Sequence, residues 1–276
     1  MSELSSTGGA MDFGLLTSAS SIETALDRGQ FTVEYQPIVE LATEFVIGAE
    51  ALLRWGHPHF GQLAPSSFIP AAEASGTIVS LGRFVLDTAI AAAGAWPRSA
   101  AGIRPFLTVN VSGRELAEPD YAQYLIDACA RLFFDAEDLR LEVIESFFDA
   151  TAAAVEANLL ALRTHGVVIV VDDFGSGFSD RLRITSIGAS VIKIDRSLTQ
   201  MIRGFGDPVD TAELAAILVE AAQRSIDVIA EGVETLGQVG WYTEHGCGSA
   251  QGFFFSPAIS ADKVAKLIEG GVHWRG

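Results

Sequence analysis

The chain has 276 residues, with 18 Lys and Arg against 35 Asp and Glu, and a formal charge of −17. That length suits one large domain or two small ones and buries enough surface to fold without staples. Two cysteines exclude a disulfide framework and a Cys-based zinc site, and the acidic surplus excludes a sustained grip on DNA or RNA.

Residues 1–20 are rich in Ser and Gly, with neither a basic start nor an apolar stretch. They read as a flexible N-terminal tail without a signal peptide, ahead of a single domain over 21–276. No run of 18 or more apolar residues is free of charge, so a cytoplasmic protein with no membrane segment is expected. Residues 31–38 alternate, and 45–53 follow after a very short polar turn. Further strand-like runs are 106–111, 139–144, 167–171, 191–194, 227–230 and 250–255. Apolar spacings of three and four predict helices over 65–75, 81–96, 120–132, 150–164, 211–224 and 261–269. Ser66 or Ser67 would cap the first of these, and Gly166 would stop the one ending at Thr164.

Strands alternating with helices over about 250 residues match an α/β fold, a (β/α)₈ TIM-like barrel. The link between the first two strands is too short for a parallel crossover, so the first strand must run antiparallel. A doubly wound open sheet is the structural alternative.

Nearly every predicted strand carries one acid, amide or amine at or near its C-terminal end. These are Glu50, Asn110, Glu142, Asp172 with Asp173, Lys193, Glu231 and Gln251. In a barrel those positions converge on the catalytic face. Five are carboxylates, and one Lys cannot neutralise them; like charges and desolvation together make such a cluster too costly. Hard divalent cations can offset it, and all-oxygen ligands with an amide carbonyl suit Mg²⁺, Mn²⁺ or Ca²⁺ rather than zinc. Each acid taken singly is an ordinary solvated strand end; the set, in one register, reads as a metal site. A neighbouring Asp pair suits two ions with a bridging carboxylate, and two metals beside a Lys imply phosphoryl chemistry. The charge of −17 points the same way, since an anionic substrate is repelled until cations overturn the local field.

Several blocks in order carry a resemblance. They are Tyr35-Gln36-Pro37-Ile38, Glu50-Ala51-Leu52-Leu53-Arg54-Trp55, Phe68-Ile69-Pro70-Ala71-Ala72-Glu73 and Asn110-Val111-Ser112. Then follow Glu142-Val143-Ile144-Glu145, Asp172-Asp173-Phe174-Gly175-Ser176-Gly177, Lys193-Ile194-Asp195, Glu231-Gly232-Val233-Glu234-Thr235 and Gln251-Gly252-Phe253. Over roughly residues 22–270 the chain resembles the EAL domains, phosphodiesterases of the bacterial messenger cyclic di-GMP.

The resemblance implies a (β/α)₈-like barrel with an antiparallel first strand, in agreement with the hairpin argument. It implies hydrolysis of cyclic di-GMP to linear 5'-pGpG by two-metal-activated water, with Mg²⁺ or Mn²⁺ as cofactors, Ca²⁺ inhibitory, and a homodimer. By the same resemblance, Glu50, Asn110, Glu142 and Asp172 ligate the first metal. Asp172 bridges to the second, which Asp173 and, partly through water, Glu231 complete. Lys193 contacts the nucleophilic water, Glu231 is also a candidate general base, and Glu50 belongs to the catalytic set. Gln251 lines the site. Gln36 and Arg54 contact the ligand, the Arg54 fork suiting a phosphate. Glu145 anchors the loop after Asp173, and Glu234 supports the metal shell.

Two stretches depart from the family pattern. Phe178-Ser179-Asp180-Arg181-Leu182-Arg183 replaces an aromatic, two serines and a leucine, in a loop the family associates with metal binding, dimerisation and activation. Ile144 stands where Thr is common. The departures keep a second function open: a module that binds cyclic di-GMP, or a protein partner, without turnover. His57, His59, His165, His245 and His273 read as solvated surface residues, and Cys129 and Cys247 as non-catalytic. Phe253-Phe254-Phe255 reads as the last strand, with an aromatic clamp for a guanine base as the alternative. Lys193→Ala is expected to cut turnover and spare the fold.

Overall fold

The computed structural model describes residues 18–99, 102–144, 153–175, 187–202 and 211–270. Helix α1 (Ala19–Asp27) opens it, so Ala19 and Ser20 of the expected tail belong to a helix with Ser18 at its N-cap; residues 1–17 lie outside the described residues. Strands β1 (Phe31–Glu40) and β2 (Val46–His57) pair antiparallel, with Gln36 opposite Glu50. A short strand with no signal in the sequence, β3 (Gly61–Leu63), doubles back on the end of β2. Helices α2 (Ile69–Ser75) and α3 (Ile78–Gly94) lead to β4 (Phe106–Val111). Next come α4 (Gly113–Leu116), α5 (Tyr121–Arg131), β5 (Leu139–Ile144), α6 (Ala153–Thr164), β6 (Val168–Phe174) and β7 (Val191–Ile194). The chain continues with α7 (Arg196–Gln200), α8 (Ala212–Gln223), β8 (Asp227–Ala230), α9 (Leu236–Glu244), β9 (Ser249–Ala250) and α10 (Ala261–Gly270).

Strands β2 and β4 to β9 pair in parallel succession. β1 closes the ring, antiparallel to both β2 and β9. The sheet is therefore a closed barrel of eight strands with β3 appended, and not an open doubly wound sheet.

The barrel is plugged at the end where its parallel strands begin and the antiparallel β1 finishes. Ile38, Phe106, Val170, Val191 and Ile229 fill its interior there. Gly48 is required because the Phe106 ring occupies the space of a Cβ, and the Arg140 guanidinium stacks 3.3 Å above that ring. Outside, α3 buries Leu81, Leu86, Ala89 and Ile90, and α6 buries Val155, Leu159 and Leu162. Each fully buried large aliphatic contributes about 1.5–3 kcal/mol. Among the described residues no single helix is long and apolar enough to cross a membrane; α2 and α3 have that composition only jointly, across a 119° bend.

Three local expectations change. Residues 65–67 form a 3₁₀ turn and α2 starts after Phe68, so neither Ser66 nor Ser67 caps an α-helix; the Ser67 hydroxyl donates back to the Ala64 carbonyl at 2.6 Å. The last strand is only Ser249–Ala250. Beyond it the chain wraps Val233, whose amide donates to Gln251 and whose carbonyl accepts from Phe254, so residues 253–255 leave the ladder. His57 is buried, with its ring against Trp55 and Phe60; the aromatic hairpin around it shields what Pro58 and its neighbours suggested was surface. Gly166 stops α6 as expected, at φ 91°.

Candidate active site

Strand register gathers the polar residues. Glu50 lies beside Thr108, Asn110 beside Glu142, and Ile144 beside Asp172. Each step along the ring is zero or two residues, and even steps keep side chains on the same face. Consecutive Asp172 and Asp173 would ordinarily face opposite sides. The register breaks between Val171 and Phe174, and Asp173 takes φ 55°, a left-handed conformation that Asp tolerates better than most residues. Asp172, Asp173 and Glu231 thereby each offer an oxygen within 4.8 Å of the others. The segments leaving the strands are also held. Ser112 and Thr235 make capping boxes with Glu115 and Gln238, and Asp195 caps α7 through the Ser197 amide at 2.9 Å.

Lys193 is the hub. Its buried ammonium lies 2.6 Å from Glu231, 3.0 Å from both Glu50 and Glu142, and 3.5 Å from Asp172. Gln251 Nε2 donates to Glu50 at 2.6 Å and to Glu231 at 2.8 Å, and Asn110 Nδ2 donates to Glu50 at 2.8 Å. Burial presses the Glu50 carboxyl upward, but the Lys193 charge and these donors outweigh it and hold it below the usual carboxylate range. Glu142 has fewer donors: burial, then the Glu50 charge, push it well above that range. Burial raises Glu231 to about 8 against the pull of Lys193. Burial with Asp172 and Asp195 raises Asp173 to about 6. Burial disfavours the Lys193 charge, but Asp172, Glu142, Glu231 and Glu50 together hold its proton more tightly than usual.

One ammonium does not satisfy this cluster. Glu142 Oε1, Asp172 Oδ1 and Gln251 Oε1 are buried without a hydrogen-bond partner among the described residues. A bare buried acceptor costs about 1–3 kcal/mol. A hard divalent cation is the partner that several such oxygens can share. The donor set fits a hard divalent cation, as read from the sequence.

Two cavities flank the cluster and share Glu50 and Leu52. One, of about 310 Å³, is lined by Gln36, Arg54, Arg196, Glu231, Gln251 and Phe253, among others. The second, of about 340 Å³, is mostly apolar, with Leu52, Pro65, Ile69 and Ile78, and also Glu115. Arg54 is pinned through Nε to Glu34 at 2.9 Å and through Nη1 to the Leu53 carbonyl at 3.0 Å. Gln36 donates to the Ser256 carbonyl. Glu234 lines the first cavity, and its carboxylate pairs with Arg196 at 2.5 Å. Glu145 lies outside the described residues, as do residues 178–183 and the dimer coupling tied to them. The sequence reading passed over Glu34 and Arg196. Glu34 lies two residues before Gln36 on the same strand face, and Arg196 directly follows Lys193-Ile194-Asp195; those positions are the signals that could have flagged them.

A family model for the EAL domain matches residues 19–258. The chain belongs to the EAL domain family. An uncharacterised protein of Mycobacterium tuberculosis strain H37Rv is 33% identical to this EAL domain over 246 residues, covering 88% of this chain and 80% of that one. The bifunctional diguanylate cyclase/cyclic di-GMP phosphodiesterase MucR of Pseudomonas aeruginosa is 35% identical over 90% of this chain, which spans only 36% of MucR. Among solved structures, the EAL enzyme Bd1971 in its cAMP-bound form superposes with a TM-score of 0.84 at 29% identity, covering 94% and 71% of the two chains. The MucR phosphodiesterase in complex with cyclic di-GMP gives 0.79 at 34% identity, covering 89% and 98%. The barrel seen here is thus the EAL fold.

Proposed function

We propose that this EAL domain hydrolyses cyclic di-GMP to linear 5'-pGpG with the aid of two divalent cations, Mg²⁺ or Mn²⁺. The observation that carries the reading is the buried Lys193 ammonium among four carboxylates, beside a Glu142 oxygen with no hydrogen-bond donor among the described residues and an Asp172 oxygen reached only by the long ion pair to Lys193. The cyclic di-GMP complex of the related MucR phosphodiesterase supports the substrate.

Glu50, Asn110, Glu142 and Asp172 would hold one ion; Asp172, Asp173 and Glu231 would hold the other. When bound, the ions would supply a Lewis-acidic grip on phosphoryl oxygens and a more acidic water. The chain's own groups do the rest. Glu50 and Glu142 fix Lys193, whose remaining reach is toward Glu231 and Asp172, where it donates to the attacking water and to developing charge. Glu231 accepts that water's proton as the oxygen attacks phosphorus and the bond to the ribose 3'-oxygen breaks, and that oxygen leaves as the hydroxyl on a proton taken from solvent. Gln251 holds Glu50 and Glu231 in place. Arg54, anchored at Nε and Nη1, offers Nη2 to a phosphate oxygen.

The test is chromatography of cyclic di-GMP after incubation with the purified chain and Mg²⁺ or Mn²⁺. Linear product is expected, absent with chelator and in Glu50→Ala. Nucleotide binding without linear product at micromolar protein in either metal would replace this reading with the non-hydrolysing module.

A further inference from the structure

The barrel has a second mouth, beneath the plug and at the end away from the acid cluster. Arg140 stands two residues before Glu142, and Asp227 two before Ile229, so both take the inward face one layer below the plug. With Glu40, at the end of β1, they line a cavity of about 490 Å³.

The Arg140 guanidinium is held in place by its stacking on Phe106. Asp227 exerts the largest attraction on it and offsets part of what burial costs its charge. The two nevertheless do not meet. Among the described residues, neither the guanidinium nor the Asp227 carboxylate makes a hydrogen bond or an ion pair. Two opposite charges thus face one cavity, too far apart to pair.

The cavity's own charges decide what answers them. A guanidinium drawn out of water without an acceptor is costly. A simple anion would satisfy Arg140 but would be repelled by Asp227 and by Glu40, whose Oε2 accepts from the Thr43 hydroxyl at 2.5 Å. A simple cation would leave Arg140 bare. A ligand that carries both signs satisfies both ends, and Leu218 and Ile226 add apolar wall for the rest of it.

We propose that this cavity binds a small zwitterion of the α-amino-acid type, its carboxylate on Arg140, its ammonium on Asp227 and its apolar side chain against Leu218 and Ile226. The site shares no residue with the proposed phosphodiesterase chemistry and stands whether or not that reading holds.

Calorimetric titration into the full chain tests it, with L-leucine as the probe. N-acetyl-L-leucine lacks the ammonium and L-leucinamide lacks the carboxylate. Leucine is expected to bind with a Kd below about 1 mM, and each single-charge relative at least about tenfold more weakly. Arg140→Met keeps a stem on Phe106 but no fork, and should weaken leucine to the level of leucinamide. Gly248 lines the cavity, with open space where a Cβ would stand. Gly248→Leu should therefore fill the cavity and abolish leucine binding without touching a charge. Melting curves establish that each variant is folded. No uptake of leucine at about 10 mM, or uptake unchanged in Arg140→Met and Gly248→Leu, overturns the proposal. Inorganic phosphate bound as tightly as leucine also overturns it, leaving a plain anion site.

Discussion

Lys193 Nζ sits 3.0 Å from Glu142 Oε2, while Oε1 of the same carboxyl is buried and meets no donor among the described residues. The pair shows both halves of the site's electrostatics: one internal cation fixes the acids, and it leaves oxygens over for cations from outside. Lys193 therefore has a structural duty as well as a chemical one, which the sequence reading, treating it as a residue of chemistry alone, did not include. Removing it leaves four acids facing one another. Lys193→Ala should destabilise the metal-free protein by about 3–5 kcal/mol, read by urea unfolding in chelator, and lower turnover at least about 100-fold with metal present. A variant as stable as wild type in chelator would show that the carboxylates do not need the ammonium.

Arg54 depends on Glu34 for its aim. The contact is partly exposed, and such pairs are worth about 0.2–1 kcal/mol. Glu34→Gln should raise KM for cyclic di-GMP about two- to fivefold with kcat nearly unchanged, because the fork is loosened and not removed. A fall in kcat at constant KM would place Arg54 in the chemical step instead of ground-state binding.

Glu115 makes folding pH-dependent away from the acid cluster. The Ser112 amide and hydroxyl both donate to its Oε2, yet burial outweighs them and raises its carboxyl to about 7. Because the folded value exceeds the unfolded one, the contribution to stability is complete below about pH 4.5. It is lost as pH rises towards 7, since the unfolded chain ionises first. Glu115→Gln keeps the capping geometry. Relative to wild type, the variant should gain about 2–3 kcal/mol between pH 4.5 and 7.5 in denaturant unfolding. A constant difference across that window would contradict the assignment.

The barrel was legible because its strands alternate or run apolar, and the short turn before residue 45 could only serve an antiparallel pair. The acid cluster was legible because polar residues recur where apolar strands end. What escaped depends on side chains far apart in sequence. Arg196 shows its place in the cavity wall only once Gly232 and Glu234 are seen beside it. The α9 helix was missed because Leu236–Glu244 contains two glycines and buries Gln238 along with Val239, Trp241 and Tyr242, which blurs its apolar period. The early end of β9 reflects the backbone of Val233, which no pattern in residues 250–255 reveals.

Gly252 marks that crossing. A Cβ there would strike the Val233 backbone, which cannot rotate away as a flexible side chain can. Gly252→Ala should cost about 2–3 kcal/mol of stability and displace Gln251, so that activity falls even in molecules that remain folded. A melting point and turnover equal to wild type would show that the turn has room to relax.

The most direct measurement is a calorimetric titration of Mn²⁺ into the purified chain and into Asp172→Ala. Wild type should bind two ions per chain saturably, and the variant, without the bridging carboxylate, should lose both sites or weaken them strongly. Wild type that takes up no Mn²⁺ at millimolar concentration, or a variant that binds as wild type does, would contradict the claim that these acids are assembled to hold divalent cations.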